Sequence, residues 1–164
     1  MGLAIGAFNV HVPAVGADHL QPREDLCNIK SFIRHYTVNR LRESTFHHLA
    51  EALTDFAEPS LAYEILLKRC IRIAEEKREE FENICNQLNV DENLKEVYHS
   101  IVVQIFSDAV NLGRILAFAA FSAELVVHCA RQGREDRAVE VAGWGADVAT
   151  QRRLDQWVRE QGGW

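Results

Sequence analysis

Residues 108–129 read DAVNLGRILAFAAFSAELVVHC, and this stretch decides the fold. From Ile115 to Cys129 nearly every position is apolar. A helix that is apolar on all its sides belongs at the centre of a bundle or inside a membrane. A membrane span needs about 20 clean apolar residues. This segment contains Arg114, Glu124 and His128, so the bundle centre is the better reading. Just ahead of it stand Asn111, Gly113 and Arg114, each of which weakens a buried helix unless it has a task. Asn111 can cap the helix by accepting from exposed backbone N–H groups. Gly113 costs about 1 kcal/mol in helix propensity, which makes sense where something must approach the backbone closely. Arg114 puts a permanent cation at the positive end of the helix, the wrong end for the macrodipole. It therefore calls for an anion, either Asp108 nearby or an acid that arrives with a ligand. Glu124 poses the opposite problem. A lone buried carboxylate is expensive, so it is expected at a rim, or paired with Arg131 or an arginine near the C-terminus.

Outward from this segment the helical spacing continues in both directions. Leu26, Ile29, Phe32, Ile33, Tyr36 and Leu41 predict a first helix over about 24–41. Phe46, Leu49, Leu53 and Phe56 predict a short second one that stops at Pro59. A long or broken helical stretch is expected over 60–88, then a polar break at 89–93 and a helix carrying Leu94, Val97, Ile101, Ile105 and Phe106. After the central helix, RQGRED (131–136) breaks the chain, and two further helices are expected over about 136–149 and 151–160. Pro13, Pro22 and Pro59 are the only prolines, and period-two alternation is scarce, so the fold class is all-α. No internal repeat is visible. Residues 1–23 read as a weakly ordered N-terminal arm, and 24–164 as a single helical domain. The arm lacks the basic start of a secretory signal. Its Met-Gly opening is followed by Gly6, which breaks the myristoylation pattern.

Composition narrows the function. Apolar residues make up 48% of the 164, enough for a proper core, and the net charge of −6 argues against a broad nucleic-acid-binding face. Cys27, Cys70, Cys85 and Cys129 form no CxxC pair and read as reduced, mostly buried thiols. His47 and His48 are adjacent, so on a helix they point about 100° apart, and no cysteine lies near them; no metal site and no cofactor is expected. Glycine-rich phosphate loops, GxSxG, HExxH and paired-carboxylate patterns are all missing, so the chain is not read as an enzyme. Trp144 and Trp157 are expected to pack into the core, and Arg152–Arg153 to face solvent. Arg131, Arg134 and Arg137 could suggest a membrane-surface patch, but Glu135, Asp136 and Glu140 dilute it.

NLGR (111–114) followed by ILAFAAFSAELVV resembles the first homology motif of the Bcl-2 family, usually Asn-Trp-Gly-Arg and then an apolar helix. WVREQGGW (157–164) resembles the second motif, in the right order and at the right spacing. IVVQIFSDAVNLGR resembles the helix leading into the first motif, and LCNIKSFIRHYTVNRL (26–41) the family's first helix. The resemblance covers roughly residues 25–164. It implies a Bcl-2-like helical bundle around a central hydrophobic helical hairpin, with a surface groove that binds the amphipathic BH-3 helix of a pro-apoptotic relative. Carried over by motif position, Arg114 would pair with the acid of the incoming helix. Asn111 would hydrogen-bond beside it, and Gly113 would allow close approach. Ile101, Ile105, Ala117 and Phe121 would line the groove, Gln104 and Asp108 would edge it, and Phe81, Ile84 and Ile73 would form the opposite wall.

Two departures from the family pattern matter. Leu112 replaces the usual tryptophan of the first motif. The third motif, Leu-x-x-x-Gly-Asp, is degraded: Leu66 holds its leucine, but Cys70 and Ile71 stand for Gly and Asp, and in the next register Leu67 is followed by Ile71 and Arg72. A helix without that acid is a poor donor to another groove, while the receiving Arg114 is kept. The asymmetry implies an anti-apoptotic receptor that sequesters BH-3 helices. The alternative is a pro-apoptotic member that permeabilises the mitochondrial outer membrane, for which VVHCARQ (126–132) offers some likeness. The family implies a cytoplasmic protein, and mitochondrial outer-membrane or endoplasmic-reticulum residence for a form with a hydrophobic tail. No such tail precedes Trp164, so membrane association is expected only through a segment missing from this chain.

Overall fold

The computed structural model describes residues 28–54 and 61–161. The expected arm, Cys27 and the Gly162–Trp164 end of the second motif lie outside the described residues. Among the described residues eight helices follow in chain order: α1 Ile29–Glu43, α2 His47–Leu53, α3 Leu61–Glu76, α4 Arg78–Gln87, α5 Leu94–Ile105, α6 Leu112–Arg131, α7 Glu135–Gln151 and α8 Leu154–Glu160. There is no strand among the described residues. The all-α expectation holds, with α6 in the expected central place. α1, α3, α4, α5 and α7 all pack on it.

The helix ends follow from the local chemistry. Asn28 caps α1, its side chain accepting from the Ser31 N–H at 3.0 Å. A second acceptor comes from the far end of the chain: the Ile29 N–H donates to Asp155 Oδ1 at 2.6 Å. This carboxylate satisfies an orphan donor of the first turn and complements its dipole. The Tyr63 hydroxyl donates to the Asn28 carbonyl at 2.8 Å, so α3 and α8 meet at the start of α1. The stretch over 60–88 is broken, at Lys77, whose N–H still reaches the Ile73 carbonyl at 2.9 Å. α5 opens from Asn93 at φ 54, a left-handed conformation that asparagine adopts more readily than most residues. Asn111 caps α6, as its position predicts, accepting from the Arg114 N–H at 2.8 Å.

The central helix is long and apolar enough to cross a membrane by composition, yet 83% of its most apolar window is buried inside the bundle. Phe118 and Phe121 are fully enclosed, with Phe118 against Phe106 and Phe121 against Phe81 and Tyr98. The Tyr98 hydroxyl and the Ser122 hydroxyl bond at 3.0 Å, so the two polar groups in this layer satisfy each other. Trp144 joins the core, and Trp157 packs partly against it. Cys70, Cys85 and Cys129 are free and buried, and burial pushes the Cys85 thiol up to about 12 and the Cys129 thiol up to about 11. Such thiols stay protonated and unreactive.

Glu124 corrects one expectation. Its partner is neither Arg131 nor an arginine near the C-terminus but Arg40 of α1, whose Nε donates to Glu124 Oε1 at 2.7 Å. The Arg40 Nη1 also donates to Glu43 Oε2 at 2.8 Å. Burial opposes the Arg40 charge, but the two carboxylates outweigh it and hold the guanidinium above its ordinary value. The pair ties α1 to the central helix at a half-buried site. Arg152 also departs from expectation: its guanidinium lies over the Phe106 ring, 5.0 Å from the centroid, rather than wholly in solvent. Arg134 pairs with Asp91 and Asp136, and Arg137 with Glu140, so these cations are engaged in ion pairs.

Candidate functional site

The α5–α6 junction brings the polar candidates together. α5 ends at Ile105 and the chain bends through 106–110 into the Asn111 cap, which sets Arg114 in the first turn of α6 beside the end of α5. The Arg114 Nη1 donates to the Ile105 carbonyl at 2.5 Å, and Nη2 donates to Asp108 Oδ2 at 3.2 Å. The first contact explains the cation's position. A guanidinium at the wrong end of α6 stands at the right end of α5, where orphan carbonyls and the negative pole of the dipole collect. Its side chain is 11% exposed, while that of Asp108 is 79% exposed. Gly113 is buried in the same turn. Asn111 is exposed, with its side-chain oxygen committed to the cap.

The apolar candidates also gather in one place. Ile101 and Ile105 of α5, Ala117 and Phe121 of α6, Phe81 and Ile84 of α4 and Ile73 of α3 belong to one continuous core, each at most 5% exposed. Phe81 meets Phe121 edge-on, with ring centroids 5.7 Å apart. Gln104 lies half-buried on α5. Phe81 of α4 therefore packs directly on Phe121 of α6, and all seven apolar candidates are covered. Of the two partners expected for Arg114, the internal Asp108 is in place, together with a backbone carbonyl. A cavity of about 200 Å³ lies elsewhere, between α1, the end of α2 and α7, and none of the candidate residues lines it.

On α3 the buried positions are Tyr63, Leu66, Cys70 and Ile73, with Ile71 only half-buried. The Cys70 thiol donates to the Leu116 carbonyl at 3.5 Å. Of the two positions that could stand for the acid of the family's third motif, Ile71 is half-buried and Arg72 exposed, and the buried face of α3 is committed to this chain's own core. Sequence reasoning missed the Ile105 carbonyl, because a backbone acceptor leaves no mark in side-chain patterns. It also missed Arg40, whose match to Glu124 depends on how α1 lies across α6. Among the described residues no group of three or more His, Cys, Asp or Glu side chains could hold a metal ion.

Residues 66–164 match the family model for apoptosis regulator proteins of the Bcl-2 family. The chain belongs to the Bcl-2 family. Over 88 residues it is 30% identical to human Bcl-2-like protein 1, a match covering 53% of this chain and 37% of that protein. Over 86 residues it is 26% identical to the human Bcl-2 homologous antagonist/killer, covering 52% of this chain and 41% of the relative. The match thus spans well under half the length of these curated relatives. Among solved structures, Trichoplax adhaerens trBcl-2L2 bound to trBak BH3 shares the fold, with TM-score 0.63, 23% identity and coverage of 87% of this chain and 95% of that one.

Proposed function

We propose that this apoptosis regulator is a survival-type receptor that sequesters the BH-3 helices of pro-apoptotic relatives between α3–α5 and α6. The observation that carries the reading is Arg114: a nearly buried guanidinium at the entrance to an apolar layer, with one exposed and replaceable acid on it. Ile101, Ile105, Ala117 and Phe121 would take the apolar anchors of the incoming helix, with Phe81, Ile84 and Ile73 facing them. Gln104 and Asp108 would edge the site. Helix-in-groove recognition places such anchors at i, i+3/i+4 and i+7. The resemblance to a relative crystallised with a BH3 segment supports the partner class. The absence of an acid at Cys70 and Ile71 supports the receiving role over the donating one.

Because these apolar side chains are already covered, an entering helix exchanges existing apolar contacts instead of covering exposed ones. Apparent affinity then falls by the fraction of molecules already open. Losing one partner of a desolvated charge pair costs about 2–5 kcal/mol. Arg114→Ala should therefore weaken binding of a BH-3 peptide at least about tenfold by calorimetry, and unchanged affinity would remove Arg114 from the site. The similarity to a relative named as a killer gives the second reading its support. Dye-loaded liposomes separate the two. The receptor should suppress release caused by an active executioner, and release caused by this protein alone would overturn the survival assignment.

A further inference from the structure

The two acceptors on Arg114 are unequal. The Ile105 carbonyl lies at 2.5 Å at the end of α5, where no helical N–H follows to satisfy it. Taking Nη1 from it would orphan a carbonyl, so this contact is structural. Asp108 sits in the bend between α5 and α6, at the longer distance of 3.2 Å, with its side chain mostly in water. An exposed pair of this kind is worth about 0–1 kcal/mol, so Asp108 is the partner that can leave. Any carboxylate brought to Nη2 must displace Asp108, and then sits beside it, like charge against like.

We infer that Asp108 is a built-in competitor for Arg114, and that its carboxylate sets how tightly and how selectively an acid-bearing helix is taken up. The inference rests on the reading of Arg114 as the receiver of a partner's acid. With Asp108 present, a helix lacking an acid loses little, because Arg114 keeps its internal partner. A helix with an acid gains only the difference between its own carboxylate and the resident one. The resident acid thus narrows the margin between the two kinds of helix, and removing its charge should widen it.

Calorimetry on the full chain tests this with two synthetic peptides. One is an amphipathic BH-3 helix with aspartate at the position facing Arg114; the other has asparagine there. Asp108→Asn should bind the acidic peptide roughly two- to fivefold more tightly than the unaltered chain. The amide peptide should bind Asp108→Asn no more tightly than the unaltered chain, and the gain for the acidic peptide should vanish in an Arg114→Ala background. High salt should shrink it, since an exposed pair is screened. A circular dichroism melt confirms that the exposed substitution leaves the fold intact. Equal or weaker binding of the acidic peptide by Asp108→Asn overturns the competitor role; the receptor reading then still stands if Arg114→Ala loses its tenfold. No binding by either the unaltered chain or Asp108→Asn overturns both.

Discussion

At the scale of single residues, the molecule resolves its awkward charges by reaching across elements. Glu124 looks isolated along its own helix and is answered from α1 by Arg40 at 2.7 Å. A hydrogen bond between charged groups at a half-buried site contributes about 1.5–3 kcal/mol. Glu124→Ala should lower stability by about that amount in urea unfolding, and Glu124→Gln by less, since the amide can still accept from Nε. An unchanged midpoint for Glu124→Ala would mean that the pair forms without holding anything. Neither this pair nor the Ile105–Arg114 contact was legible in the sequence, since both depend on how helices distant in sequence, or a turn, set two atoms side by side. Asn111 was legible, because capping is decided within three residues of chain.

Two imidazoles add a pH dependence at the same scale. Burial, with Arg42 next for His35 and Arg131 next for His128, holds both below their ordinary value. The unfolded chain, with imidazoles near 6.5, therefore takes up protons first. Stability from these groups is complete above about pH 6.5 and drains as pH falls toward the depressed folded values. Urea midpoints should drop between pH 7.5 and 5.5, and His35→Gln with His128→Gln should flatten the drop. A drop of equal size in that double variant would assign it to other groups. Asp136, held at about 2 chiefly by the hydrogen bond from Arg134, acts in a separate window below about pH 4.

At the scale of elements, hydrophobic periodicity was a sound guide. α5 and α6 occupy the segments their apolar spacing predicts, and α1 follows its expected face through Leu41. Lys77 shows where the signal stops. It divides α3 from α4 without glycine or proline, so the sequence left open whether the stretch over 60–88 is long or broken. α7 offers a test of what its glycines do. A Cβ built on Gly143 would meet nothing within 4 Å. Gly143→Ala should therefore stabilise the chain by about 0.5–1 kcal/mol, because glycine in a helix interior costs about that much. A raised thermal midpoint checks this, and a lowered one would mean that some other group needs the bare backbone.

At the scale of the whole molecule, the sequence marked which residues are apolar and which helix is central. It could not show whether the apolar candidates around α6 lie open or covered, because both arrangements use the same pattern of greasy positions. Since the apolar candidates are all covered, a helix taken up at this face would compete with the protein's own packing. Partner affinity and fold stability are then linked: substitutions that loosen the α3–α5 wall should ease uptake while weakening the bundle.

The bond between Asp155 and the Ile29 amide spans 126 positions along the chain. During synthesis the leading helix leaves the ribosome long before its second acceptor exists. It can start on Asn28 alone, but its first turn is complete only when α8 has emerged and swung back. The first turn of α1 is therefore fastened only after residue 155 has emerged, and a ribosome stalled ahead of it would hold a molecule with that turn unfastened.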